Sequence, residues 1–206
     1  MIESIVNGIQ LLTAAVCAVF SAFRLRRTRS RVWGILTLFY GVFTLGDFYW
    51  GLYLVLYGKT PQIFYVSDFS WYAAYLFLFM LLRCVMPPEE QRARYPLAWA
   101  GPVFAAGMCA FYMTRGDYPG NLITLVLMSL LLYNVLRGLL FLRRQENAPR
   151  RLLYLVTLAF CLIEYGSWTA SCFWMGDTLG NPYFWFDLLL TAILVCFIPA
   201  GRRLEA

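Results

Sequence analysis

Histidine is absent from the 206 residues, and lysine occurs once, at Lys59. Without imidazole, the common Cys/His zinc sites and histidine-ligated haem have no ligand set. The six cysteines (Cys17, Cys84, Cys109, Cys161, Cys172 and Cys196) form no CxxC pair and all fall within apolar runs, which argues against a redox or metal motif. Lys59 lies between apolar runs, so no retinal Schiff base can form inside a bundle. There is no Gly-rich phosphate loop, no Ser/His triad and no paired metal-binding acids. The chain reads as a non-enzyme without cofactor or metal. Charge is scarce as well: Asp, Glu, Lys and Arg make up 14% against 61% hydrophobic residues. A soluble domain carries roughly 25% charged residues.

What is present is a series of apolar runs of about 20 residues, the length needed to cross a bilayer core. Seven are read, at 4–24, 33–57, 64–86, 97–114, 121–142, 152–175 and 183–200. The expectation is an all-α integral membrane bundle of seven transmembrane helices, with residues 1–206 forming one domain. Fifteen of the 17 basic residues fall at one end of this arrangement: Arg24, Arg26, Arg27, Arg29 and Arg31; Arg83, Arg92 and Arg94; Arg137, Arg143, Arg144, Arg150 and Arg151; Arg202 and Arg203. Only Lys59 and Arg115 fall at the other. The positive-inside rule then puts the N-terminus outside and the C-terminus in the cytoplasm. The location expected is a bacterial cytoplasmic membrane. The net charge of +6 suits anionic lipid headgroups and calls for no nucleic acid. The first run follows Glu3 rather than a basic leader, and its arginines come after it, unlike a removable signal peptide.

The first three and last three spans share a layout. Spans 1 and 5 end in arginine pairs, Arg26-Arg27 and Arg143-Arg144. Spans 2 and 6 carry Asp47 and Glu164 deep in apolar sequence. Spans 3 and 7 carry Asp68 and Asp187 close to their outer ends. This pattern points to a candidate 3+1+3 repeat, with span 4 as the inverting linker. Gly101, Ala105 and Ala106 give span 4 a close-packing stripe, and Pro102 is a candidate kink.

Aromatic residues accompany every one of these acids. Span 2 reads GDFYWGLY at 46–53, span 3 opens SDFSWYAAY at 67–75, span 6 contains IEYGSW at 163–168, and NPYFWFD at 181–187 opens span 7. Asp68, Trp71, Tyr72 and Tyr75 share one helical face, as do Asp47 and Trp50, and Glu164 and Trp168. A carboxyl near the centre of a spanning helix costs about 2.5–3.5 kcal/mol on insertion scales. It must therefore face the interior and be neutralised by a proton, by Tyr, Trp or backbone donors, or by a bound cation. Aromatic faces beside carboxylates attract organic cations. The ligand-binding candidates are Asp47, Trp50, Asp68, Trp71, Tyr75, Glu164, Trp168 and Asp187. A plainer role stands beside this for Asp68 and Asp187, which lie where helix N-caps occur.

The segments Gly46-Asp47 with Trp50 and Tyr53, and Asp68 with Trp71 and Tyr75, resemble bacterial seven-transmembrane sensory modules found N-terminal to diguanylate cyclase, phosphodiesterase, PAS and histidine kinase domains. The likeness covers about 40 residues, with Glu164 and Asp187 falling where such modules place further acids. It implies a receptor-like protein that binds a small cationic or amphipathic ligand in an outer-facing pocket and signals to a cytoplasmic or membrane partner. Such modules are usually followed by an output domain, whereas only GRRLEA follows the last span. The 3+1+3 layout is also that of small transporters of the SWEET and PnuC type, although the Thr60-Pro61-Gln62 triplet matches their Pro-Gln motif only as a chance dipeptide in a loop. A third reading is an accessory membrane subunit. The inner halves offer few polar residues for a permeation path, chiefly Thr37, Ser129, Asn134 and Thr157, which favours a receptor.

Overall fold

A computed structural model describes residues 2–58, 66–143 and 148–205. Lys59, the 60–62 triplet and Arg144 lie outside the described residues. Eight α-helices are found: α1 (Ile2–Thr28), α2 (Arg31–Tyr57), α3 (Val66–Val85), the short α4 (Pro88–Arg92), α5 (Ala100–Met113, entered through a 3-10 turn at Pro96–Trp99), α6 (Tyr118–Phe141), α7 (Pro149–Phe173) and α8 (Pro182–Glu205). Among the described residues seven segments are long and apolar enough to cross a membrane, with the 3-10 turn and α5 together forming the fourth.

Local chemistry sets the helix ends. Gly58 takes the left-handed conformation at the end of α2 (φ 63°), and its N–H closes on Leu54 O at 2.9 Å, as C-terminal glycines do. Asp117 precedes α6 and accepts the Gly120 N–H at 3.2 Å. Pro149 opens α7 where a missing N–H costs nothing. Pro102 sits in the first turn of α5, for the same reason without interrupting it.

Large apolar side chains cover the outside of the bundle: Leu12 and Val16 are each 67% exposed, and Val55 80%. Water would not tolerate so continuous an apolar coat, whereas lipid matches it. Inside, six spans close a ring in the order α1, α2, α3, α6, α7, α8 and back to α1. The neighbour order α1–α2–α3 recurs as α6–α7–α8, and the last helix of each unit lies against the first of the other. This order fits the expected like layout of the two halves, as any ring closed in chain order would. Span 4 is not wedged between the halves. Its helix α5 packs outside the ring on α6 and reaches α7 through Phe104–Tyr165 and Phe111–Phe173 ring contacts. Gly101 and Ala105 face inward, with Gly101 tight against Leu132, but Ala106 faces outward, so the small-residue stripe is shorter than expected.

Midway along the bundle lies a layer of rings. Phe39, Tyr40, Phe43, Phe160 and Phe197 are all at most 1% exposed. Their mostly edge-on contacts, such as Phe39–Phe197 at 5.3 Å and Phe43–Phe160 at 6.4 Å, join α2, α7 and α8. The Tyr40 hydroxyl donates to Leu194 O at 2.5 Å. This layer divides an acidic end of the bundle from an arginine end.

Candidate ligand cavity

Two acids stand one helical turn above the ring layer. Asp47 follows Phe43 by four residues on α2, and Glu164 follows Phe160 by four on α7, about 6 Å of helix rise in each case. Above them, toward the acidic end, opens a cavity of about 620 Å³, within the usual range of small-molecule sites. All eight candidates from the sequence (Asp47, Trp50, Asp68, Trp71, Tyr75, Glu164, Trp168 and Asp187) line it.

Three carboxyl groups are buried in its depth, each held by a neutral donor. Asp47, 6% exposed, accepts the Trp71 indole N–H on Oδ1 at 3.2 Å, while its Oδ2 has no hydrogen-bond partner among the described residues. Glu164 accepts the Tyr75 hydroxyl at 3.0 Å. Asp187 accepts the Ser167 hydroxyl at 3.1 Å. The two halves of the GD…W and D…W…Y pattern thus meet as one unit. Gly46 matters here because a Cβ at that position would lie 2.8 Å from Trp71 Nε1, in the space the indole needs to reach Asp47. Trp50 and Trp71 rings lie 5.6 Å apart, and Trp168 meets Tyr75 edge-on at 6.4 Å. Tyr53 stacks with Tyr49 and Tyr57 and does not line the cavity.

Four further acids line the cavity nearer its mouth: Glu3, Asp68, Asp117 and Asp177. The Glu3 backbone N–H donates to Asp177 Oδ1 at 2.9 Å, tying the start of α1 to the α7–α8 connection across the opening. Seven of the chain's eleven acidic residues therefore converge on one space in a protein of net charge +6. Among the described residues, Arg115 is the only basic side chain lining it. Its guanidinium rests over Phe173 at 5.0 Å and Phe111 at 5.6 Å. No group of three or more metal-ligating side chains occurs among the described residues.

Two expectations need correction. Asp187 is no helix cap: it sits more than a turn inside α8, is 4% exposed and bonds to Ser167 on α7. The short α5–α6 connection holds Arg115 in the cavity wall. The arginine end is also more polar inside than Thr37, Ser129, Asn134 and Thr157 suggest. The short α4 carries Glu90, 0% exposed, into the base of the bundle, where it accepts the Tyr154 hydroxyl and lies 3.5 Å from the Arg150 guanidinium. Arg137, 6% exposed, donates to Asn134 Oδ1 at 2.8 Å and to Gln91 O at 3.3 Å. At the same end Glu205 on α8 joins Arg24 and the buried Trp33 indole.

The fold and cavity define a seven-helix membrane protein with an acidic, aromatic chamber at one end. No family model, curated protein or solved structure matches the chain.

Proposed function

We propose that the protein is a receptor-like membrane sensor that binds a small organic cation in this cavity and passes a shift in helix packing to a signalling partner. The observation that carries the reading is the convergence of seven carboxyl groups and one guanidinium on a ring-walled space, with the buried Asp47 Oδ2 left without a partner. Buried acceptors seek partners, and ring faces beside carboxylates suit ammonium groups. The distribution of arginines favours the arginine end as cytoplasmic and the cavity as open to the outside. The resemblance to bacterial sensory modules agrees with this reading. The ring layer below the cavity favours a receptor over an open path. α8 runs from Asp187 in the cavity to the Glu205 contact with Arg24 and Trp33, and so links the two ends.

A transporter is the second reading, favoured by one observation: the recurring helix order of the two halves, seen alongside polar groups buried at the arginine end. Substrate would then sit between repeats near the midplane. Two measurements separate the readings. In nanodiscs, alkylamines and quaternary ammoniums should raise thermal stability, while alkyl sulfonates of equal size should not. In proteoliposomes, uptake of a labelled amine that stabilises the protein marks a transporter. Binding without uptake, together with altered hydrogen exchange around Glu90 and Glu205, supports the receptor. No effect of any cation refutes both.

A further inference from the structure

We infer that the cavity takes a linear organic amine with two ammonium groups about 10 Å apart, one seated at Glu164 and the other at Asp68 near the mouth, with Asp47 beside the chain that joins them. The inference rests on the cation-binding reading and specifies its ligand class.

The carboxyl groups lie at two depths. On α3, Asp68 and Tyr75 are seven residues apart on one face, which is about 10 Å of helix rise. Tyr75 marks the deep level, because its hydroxyl bonds Glu164. Asp47 on α2 lies between the levels, opposite Ser70 and Trp71, 6% exposed and with Oδ2 without a hydrogen-bond partner among the described residues. A single ammonium can meet one level only. Between the levels the wall of α3 is aromatic: Trp71 and Tyr72 stand one turn in from Asp68 and one turn short of Tyr75, and both line the cavity. Rings at that height suit a methylene chain flanked by cations. An inorganic divalent ion is a poorer match, since no group of three or more metal-ligating side chains occurs among the described residues. A volume of about 620 Å³ leaves ample room for an extended chain of eight carbons.

The test uses three probes titrated calorimetrically into the full chain in nanodiscs of zwitterionic lipid, so that amines do not adsorb to the bilayer. They are the terminal diaminooctane, the terminal aminooctanol of nearly equal length with one ammonium replaced by hydroxyl, and the terminal diaminopropane. Diaminooctane should bind roughly tenfold or more tighter than either of the others, the yield of one extra charge-assisted contact. Asp68→Asn should bring diaminooctane down to the level of aminooctanol and leave aminooctanol unchanged. Glu164→Gln should weaken both. Thermal melts of each variant without ligand establish that it is folded. Equal affinity for diaminooctane and aminooctanol overturns the two-ammonium inference and leaves cation binding standing. Binding by none of the three probes overturns the cation-binding reading as well.

Discussion

Replacing Asp47 with asparagine separates a ligand site from a structural carboxyl. The substitution is close to isosteric, and the amide oxygen still accepts the Trp71 N–H that now reaches Oδ1 at 3.2 Å. What changes is Oδ2, buried and without a partner. An unsatisfied buried polar group costs about 1–3 kcal/mol, and more when charged. If that atom is kept for a ligand, the substitution exchanges one unpartnered buried polar group for another, and the ligand-free protein should keep its Tm within about two degrees. Amine binding should fall roughly 10–100-fold, the loss of one hydrogen bond to a charged group. The assay is a pair of thermal melts in nanodiscs, with and without amine, for the wild-type and variant chains. The opposite pattern refutes the reasoning: a variant that melts several degrees lower while amines still stabilise it as strongly would make Asp47 a structural residue.

Further predictions concern the other parts of the bundle. Tyr75→Phe removes the buried hydroxyl that Glu164 accepts at 3.0 Å, and should cost about 1–3 kcal/mol in a circular-dichroism melt, with weaker amine binding. Glu90→Leu should cost about 1–3 kcal/mol, below the usual loss for a broken buried pair because Arg150 is partly exposed, and should raise hydrogen exchange in α4 while leaving amine affinity at the acidic end unchanged. Single cysteines at Asp117 or Thr178, placed on a chain with the exposed Cys84 and the cavity-lining Cys172 replaced by serine, should react with an impermeant thiol reagent added outside intact cells, while one at Gln91 should not; the reverse pattern would invert the proposed orientation.

Much of the architecture could be read from apolar run length, since a spanning helix must present apolar residues over most of its length whatever its neighbours are. The deep acids were legible for the same reason: Asp47 and Glu164 interrupt long apolar stretches, and the cost of that placement implies an inward-facing site. Asp187 was harder to place. Its distance from the end of its run suits a cap or a buried group equally, and only packing against Ser167 of a different span decides between them. Glu90 was illegible as a buried residue because it sits in PPEEQR between two arginine-bearing stretches, where charge normally meets water. The signal that was available is Pro88, which opens a short helix and turns Glu90 toward Tyr154. The placement of Arg115 depends on how tightly the loop between α5 and α6 is drawn, and no periodic pattern records that.

If the acidic chamber is a cation site, an experimental density map of the protein in nanodiscs with saturating diaminooctane shows elongated density between Glu164 and Asp68, ringed by Trp71, Tyr72 and Trp168 and absent from a matched map without amine. Identical density in both maps, or an Asp47 carboxyl turned onto a backbone donor with no space beside it, excludes a cation site there.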